Sequence, residues 1–299
     1  MFCILNQSAG TPSAKAGASE IAELFAAHGL AVTVVAGTGD EIAQLCQRAL
    51  DENHEIVVAG GGDGTINSVA SALTGTSVIL GVLPMGTLNH FAKDLKIPPG
   101  LPEAIANIAA GNVRNVDVGE VNGLIFLNNS SLGLYPRLVR EREKLQGGGA
   151  SKWVAFIRAV AYVLARYKHL HVRLDASNKE QRRQPTPFLF VGNNRYSLNG
   201  WAIGTRTRMD EARLWLCMAP RRGPVGLIWL ALQALLGRLK DDAFDTIETG
   251  ECWIETRRKR IDVARDGEVT AMVAPLHYRI RPGALRVLAP VADAPAGGQ

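Results

Sequence analysis

The sequence predicts two domains of different class: an α/β N-terminal domain whose parallel sheet carries helices on both faces, then a mainly antiparallel β-sandwich C-terminal domain. Two observations carry this. Through about residue 115, short apolar runs alternate with helical periodicity, and a turn rich in small residues follows each run. Strands separated by helices build parallel sheets, whose ligands bind outside the carboxyl ends of the strands. Beyond about Asn112, short β-branched runs succeed one another across turn signals with few helices between them, the pattern of a sandwich. The boundaries read as 1–115, 116–289 and a disordered tail, 290–299, rich in Ala, Pro and Gly.

Element by element, Phe2–Leu5 is an apolar strand ending on Asn6-Gln7-Ser8-Ala9-Gly10, and Ser13 caps a helix to about His28. Leu30–Val35 is a β-branched strand, and Asp40 caps a helix to about Leu50. Glu55–Ala59 is a buried strand that runs into Gly60-Gly61-Gly62-Asp63-Gly64-Thr65, followed by a helix over Ile66–Leu73 and a strand over Val78–Leu83. Val116–Val121 and Leu124–Leu127 flank Asn122-Gly123, a type I′ hairpin signal. Further strands fall at Leu170–Leu174, Pro187–Val191, Leu214–Met218, Cys252–Thr256, Arg260–Ala264, Val269–Val273, His277–Arg281 and Leu285–Ala289. Helices near Lys152–Tyr167 and Val225–Leu239 interrupt them, Gly147-Gly148-Gly149 is a loop, and no internal repeat is visible.

The 299 residues, 47% hydrophobic and 20% charged, suffice for two ordinary globular cores. A formal charge of +5 suits anionic partners without choosing among nucleotides, phospholipid surfaces and nucleic acid. Cys3, Cys46, Cys217 and Cys252 form no CxxC pair and read as reduced thiols of a cytosolic protein; the histidines show no metal spacing. No secretion signal opens the chain. Its longest apolar stretch, Pro224–Leu236, is about 13 residues, short of the roughly 20 that span a bilayer. Any membrane contact is therefore expected to be peripheral, from the cytoplasmic side. Two features bear on it. The stretch Lys152–His169 reads first as a core-packed helix with solvated cations, the alternative being a basic amphipathic helix at a membrane surface, and Arg257-Arg258-Lys259-Arg260 reads as a solvated turn or a headgroup-steering cluster.

Gly61-Gly62-Asp63-Gly64-Thr65 is the most informative stretch. It lies between a strand and a helix, where backbone N–H groups can cradle phosphates. Asp63 would repel a bare phosphate, so its presence points to a bridging magnesium ion or a carboxylate role in phosphoryl transfer. No GK[ST] follows, as a Walker A loop requires, and Thr65 stands where a dinucleotide fingerprint has its last glycine. Gly-Gly-Asp-Gly also occurs as an ordinary turn. Pro84-Met85-Gly86-Thr87-Leu88-Asn89 is a second turn of this kind, and Asn6–Gly10 and Gly37-Thr38-Gly39-Asp40 follow the first two strands. All four would gather at one sheet edge.

The run Gly61-Gly62-Asp63-Gly64-Thr65-Ile66-Asn67, followed by Pro84–Asn89 and Asn89-His90-Phe91-Ala92-Lys93-Asp94-Leu95, resembles the catalytic domain of diacylglycerol kinases, sphingosine kinases and bacterial YegS/DgkB-like lipid kinases. Val191-Gly192-Asn193, Leu214-Trp215-Leu216, Leu236-Gly237-Arg238, Asp266-Gly267-Glu268 and Pro282-Gly283-Ala284-Leu285 continue the resemblance in order. It implies a fold like that of diacylglycerol and NAD kinases, ATP and Mg2+ as cofactors, and a diacylglycerol-like or sphingoid hydroxyl as acceptor. It also implies that Asn6, Thr38, Gly61, Gly62, Asp63, Gly64, Thr65, Asn67, Gly86, Thr87 and Asn89 bind ATP. Asp266 becomes the general base, with Glu268 beside it and Asp63 in the chemistry. From the residues alone, Asp266-Gly267 is a hairpin turn. Asp210, in Met209-Asp210-Glu211-Ala212, matches a structural magnesium ligand whose usual second aspartate and glycine are replaced. Ser131-Leu132-Gly133-Leu134-Tyr135-Pro136 lacks an acid that many members carry. Nucleic acid is not an expected partner, and a homodimer is compatible with the family. The competing readings are a kinase of a soluble acceptor such as NAD and a non-catalytic nucleotide- or lipid-binding regulator.

Overall fold

Parallel strands need a crossover connection, which a short hairpin cannot supply, and the computed structural model shows helices filling that role through the first third of the chain. The structure describes residues 1–7, 17–134, 136, 170–176, 179–197, 205–206, 208–219, 226, 233 and 244–291. In chain order the first elements are β1 (Phe2–Asn6), α1 (Ala18–Ala27), β2 (Thr33–Gly37), α2 (Ile42–Asp51), β3 (Ile56–Gly61), α3 (Asp63–Leu73), β4 (Ile79–Pro84), α4 (His90–Asp94) and α5 (Leu101–Ala110). Then follow β5 (Val113–Val121), β6 (Leu124–Phe126), β7 (Asn129–Gly133), β8 (Leu170–Ala176), β9 (Lys179–Thr186), β10 (Phe188–Asn193), β11 (Leu214–Met218) and β12 (Asp245–Thr249). The chain closes with β13 (Glu251–Thr256), β14 (Arg260–Arg265), β15 (Glu268–Val273) and β16 (Leu276–Leu288). The expected helix at 152–167, Ser13, the Gly147–Gly149 loop and the tail beyond 291 lie outside the described residues, as does the expected helix at 225–239 apart from residues 226 and 233, both helical.

Two units form. The first joins Met1–Val118 to Pro282–Gln299. Its strands are ordered β2-β1-β3-β4-β16, every neighbouring pair parallel. The chain leaves β1 for β2 on one side, then crosses to β3 on the other, so the connections switch direction between β1 and β3. Registers Asn6↔Gly37, Leu5↔Gly60 and Gly61↔Pro84 bring the four carboxyl ends level. Phe2, Ile4, Val58, Ile66, Leu80 and Ile105 are fully buried in its core.

The second unit, Gly119–Arg281, is the expected sandwich. Its six-stranded sheet is ordered β12-β11-β10-β7-β14-β15. The opposing strands are β8, β9 and β13, together with residues of β16 that pair β13 from Leu276 to Arg279. Leu132, Val191, Leu216 and Val263 from one side and Val172, Ile254, Leu276 and Tyr278 from the other share one core. Buried Glu120 takes two hydrogen bonds from Arg279, at 2.8 and 3.1 Å.

The differences from expectation have local causes. Helix α3 starts at Asp63 rather than Ile66, because extended Gly62 (φ −87°, ψ −175°) serves as N-cap and an acid suits the first turn. Helix α5, unforeseen, carries Pro at its start and Gly111 in the left-handed conformation at its end. The two strands expected around Pro282-Gly283 are one, β16. Its far half hydrogen-bonds β4 in the first unit (Arg286↔Ile79, Val287↔Leu80), although a boundary at 115 and 289 assigns it to the second domain.

All four cysteines are free and buried. Burial pushes Cys3, Cys217 and Cys252 up to about 12 and Cys46 to about 11. A thiol whose folded pKa lies above its unfolded value of 9.0 stabilises the fold fully below that value and loses the contribution as pH rises through the folded one. Urea midpoints are expected to hold to about pH 9 and fall progressively above it. An aromatic disulfide reagent at about pH 8 should find no fast-reacting thiol in the native protein and four in urea. One fast native thiol, or a midpoint flat to pH 11, contradicts this.

Candidate active site

The first unit's glycine turns lie at the switch between β1 and β3. No side chain caps α3, and its first intrahelical bond is Ile66 N–H to Gly62 O, 3.0 Å. The N–H groups of Asp63, Gly64 and Thr65 therefore precede the ladder and point out of the positive helix end, a ready anion site. Asn6, ending β1, donates from Nδ2 to Thr65 Oγ1 at 2.8 Å, tying the two sides of the switch together. Gly61 is required here, since a Cβ on it would lie 2.5 Å from Thr65 Oγ1. A Cβ on Gly86 would lie 2.5 Å from Gly62 Cα, so the β3–α3 and β4–α4 turns meet backbone to backbone.

The second turn is shaped by Asn89, left-handed at φ 49°. Its Oδ1 accepts the Gly86 N–H (2.9 Å), and its Nδ2 donates to the carbonyls of Gly86 (2.8 Å) and Pro84 (3.3 Å). Asn89 thus folds its carboxamide into its own loop, while Thr87 is exposed. Exposed Thr38 donates its N–H (2.7 Å) and hydroxyl (3.0 Å) to the Glu41 carboxylate, which holds that acid below the usual range. The Thr38-x-x-Glu41 spacing is half a capping box, and Glu41, not Asp40, engages the entry to α2.

Asp63 Oδ1 and Asn67 Oδ1 are buried acceptors with no hydrogen-bond partner, one helical turn apart on α3. Two hard oxygens near this helix end fit a magnesium ion, which commonly takes one or two protein oxygens and fills the rest of its shell with water and phosphate. Asp210, the other proposed ligand, is exposed, and its carboxylate accepts from Arg208 Nε at 3.0 Å.

In the second unit, the β14–β15 turn holds Asp266 (φ 46°) and Gly267 (φ 92°), both left-handed as a type I′ turn requires. The Asp266 carboxylate accepts three backbone N–H groups from the β6–β7 link: Leu127 on Oδ2 (2.7 Å), Asn128 and Asn129 on Oδ1 (2.8 and 3.0 Å). Burial pushes its pKa above the ordinary aspartate range, against the pull of those N–H donors and of Arg206. Glu268 is exposed. Ser131 has a buried hydroxyl oxygen with no partner.

The sequence profile of the diacylglycerol kinase catalytic domain matches residues 1–121. A relative from Pseudomonas savastanoi pv. phaseolicola, named "Probable lipid kinase YegS-like", is 31% identical over 263 residues, covering 84% of this chain and 81% of the relative. The chain belongs to the YegS-like diacylglycerol kinase family. A crystal structure described as a diacylglycerol kinase from Bacillus anthracis shares the fold of this family member across 99% of the chain and 97% of its own, with a TM-score of 0.70 at 20% identity. An NAD kinase from Archaeoglobus fulgidus, solved with ATP, matches at a TM-score of 0.52 and 11% identity, covering 96% and 92%.

Asn6, Thr38, Gly61–Thr65, Asn67 and Gly86–Asn89 thus lie in strand ends, turns and the start of α3 at one sheet edge of this YegS-like chain, all in its first unit, whereas Asp266, Glu268 and Asp210 belong to the second. The residue missed in the sequence is Arg206, 4% exposed, inside a Gly-Thr-Arg-Thr-Arg stretch that carries no spacing signal. For Gly86→Ala, overpacking against Gly62 is expected to cost about 1–3 kcal/mol of stability. The displaced turn should weaken ATP binding about tenfold, a threshold of about 1.4 kcal/mol, read by calorimetry with ATP and magnesium. Unchanged affinity would mean that the backbone contact does not shape the nucleotide site.

Proposed function

We propose that this protein transfers the γ-phosphate of ATP to the hydroxyl of a membrane lipid, diacylglycerol-like or sphingoid. The observation that carries the nucleotide half is the uncapped α3 end with its two unpartnered acceptors, Asp63 Oδ1 and Asn67 Oδ1. The lipid half is supported by the family and by the lipid-kinase name of its relatives. The N–H groups of Asp63, Gly64 and Thr65 receive phosphate oxygens, and Gly86 lets the second turn close against them. Asp63 and Asn67 would hold magnesium, which, when bound, offsets charge on the phosphates. In the transfer, a bond forms from the lipid hydroxyl oxygen to the γ-phosphorus as the bond to the β–γ bridging oxygen breaks. The hydroxyl proton goes to a carboxylate and the electron pair leaves with ADP.

Asp266 is the proposed base. Burial raises its proton affinity, and of its roughly four lone-pair directions three are taken by N–H donors, leaving one on Oδ2. The exposure of Glu268 favours a second reading, in which Asp266 anchors the turn and Glu268 accepts the proton. Membrane contact is proposed to be peripheral. No helix among the described residues is long and apolar enough to cross a bilayer, and Arg257, Arg258, Lys259 and Arg260 are exposed cations.

The test is incubation with labelled ATP, magnesium and mixed lipid vesicles, followed by organic extraction. Label is expected in the lipid phase. With Asp266 as base, Asp266→Asn should cut kcat by about 10²–10⁴ and Glu268→Gln by far less, the reverse order supporting Glu268. Urea midpoints measured in parallel separate lost chemistry from lost structure. Label on added NAD instead of lipid would identify a soluble acceptor, and none on either would support the regulator reading. Asp63→Asn is expected to raise the magnesium concentration for half-maximal rate about tenfold or more.

A further inference from the structure

Asp266 is gripped through a peptide segment that a second charge grips from its other side. The Arg206 guanidinium donates from Nη1 to the carbonyls of Leu127 (2.8 Å) and Asn193 (2.9 Å), and from Nη2 to Asn128 Oδ1 (2.8 Å). Leu127 and Asn128 are residues whose N–H groups bind Asp266. The remaining acceptors of the segment are engaged too. Asn193 Nδ2 donates to the Leu127 carbonyl (2.8 Å), and the Tyr196 hydroxyl donates to the Asn128 carbonyl (2.9 Å). Arg206 lies over the Tyr196 ring, 5.2 Å from its centre.

We propose that Arg206 is a positioning residue that fixes the orientation and charge of Asp266 through the Leu127–Asn128 peptides. Each element follows from the geometry. Peptide dipoles with N–H toward an anion and C=O toward a cation are stabilised at both ends. The two buried charges thereby offset each other through hydrogen bonds that also lock the segment. A planar fork meeting three oxygens at fixed angles holds the link against sliding, which a point charge cannot do. The charged groups facing or flanking Asp266 among the described residues are Arg206, Arg265 of β14, whose Nη1 donates to the Ile125 carbonyl (2.7 Å), and Glu268 of β15. The β6–β7 link presents uncharged Leu127, Asn128 and Asn129.

The inference rests on Asp266 serving the reaction, and its test keeps the two apart. In the full chain labelled with carboxyl-13C aspartate, the Asp266 signal is identified by its loss in Asp266→Asn and titrated. Arg206→Gln is expected to raise its midpoint by about one pH unit or more. The same variant should lower kcat about 10- to 100-fold with the KM for ATP within about twofold. Arg206→Lys should restore the midpoint but only part of kcat. A folded Arg206→Gln protein with unchanged midpoint and kcat overturns the proposal, as does a change confined to KM for ATP. Should Arg206→Gln not fold, Asn128→Ala removes one of the three acceptors. A lowered kcat at constant KM then supports the proposal, and an unchanged kcat overturns it. If Asp266→Asn stays fully active, the base reading fails, while the titration still decides whether Arg206 controls that carboxylate.

Discussion

The backbone contact between Gly62 and Gly86 is the constraint on which the first unit's site depends. A Cβ at Gly86 would sit 2.5 Å from Gly62 Cα, so the turns after β3 and β4 lie as close as two peptide chains can. That closeness follows from the sheet. β3 and β4 are adjacent and parallel, with Gly61 opposite Pro84, and they deliver both turns to one edge. Asn89 then uses its whole carboxamide to keep the second turn shut, and Asn6 secures the first from the neighbouring strand. Side chains named for ligand binding by their motif therefore divide. Some shape the cradle, and what they leave for a ligand is largely the backbone N–H groups of Asp63, Gly64 and Thr65, with two buried, unpartnered oxygens on Asp63 and Asn67.

The second unit solves a different problem, how to bury a carboxylate in a turn between two strands. Asp266 is surrounded by N–H donors drawn from one short link, and the link's carbonyls are in turn met by Arg206, Asn193 and Tyr196. Removing one charge from such an arrangement leaves the other without its counter-charge across the link. The strained left-handed φ at Asp266 is sustained by this network, since a non-glycine residue there holds its place only where its surroundings over-determine it.

Periodicity and turn chemistry made much of this legible. The strands β3, β4 and β11 and the Asn122-Gly123 and Asp266-Gly267 turns were readable because apolar runs and Asn/Asp-Gly pairs have local causes. Asp63 as a helical residue was harder, because three glycines before it and one after mask the start of α3. Thr38-x-x-Glu41 was present in the sequence as a capping signal, overshadowed by the adjacent Asp40. Arg206 was not readable at all. Its meaning comes from Leu127, Asn128 and Asn193, 13 to 79 positions away, and no periodicity encodes such a meeting. The single long strand β16 was hidden for a related reason, as Pro282-Gly283 is a breaker locally while long-range pairing with β4 carries the strand through.

That returning strand bears on how the protein is made. Arg286 Nη1 donates to the Ser77 carbonyl across 209 positions of chain, and β16 covers the edge of β4 in the sheet that carries the glycine turns. Until the ribosome has released that segment, β4 presents a row of open backbone groups, the kind of edge that recruits foreign strands. Closing so long a loop is slow compared with local pairing. The sheet that carries the glycine turns is therefore begun before the second unit is made and completed only after it. A nascent chain arrested anywhere in the second unit holds this sheet incomplete, which makes the interval before β16 docks the time when chaperone protection matters most.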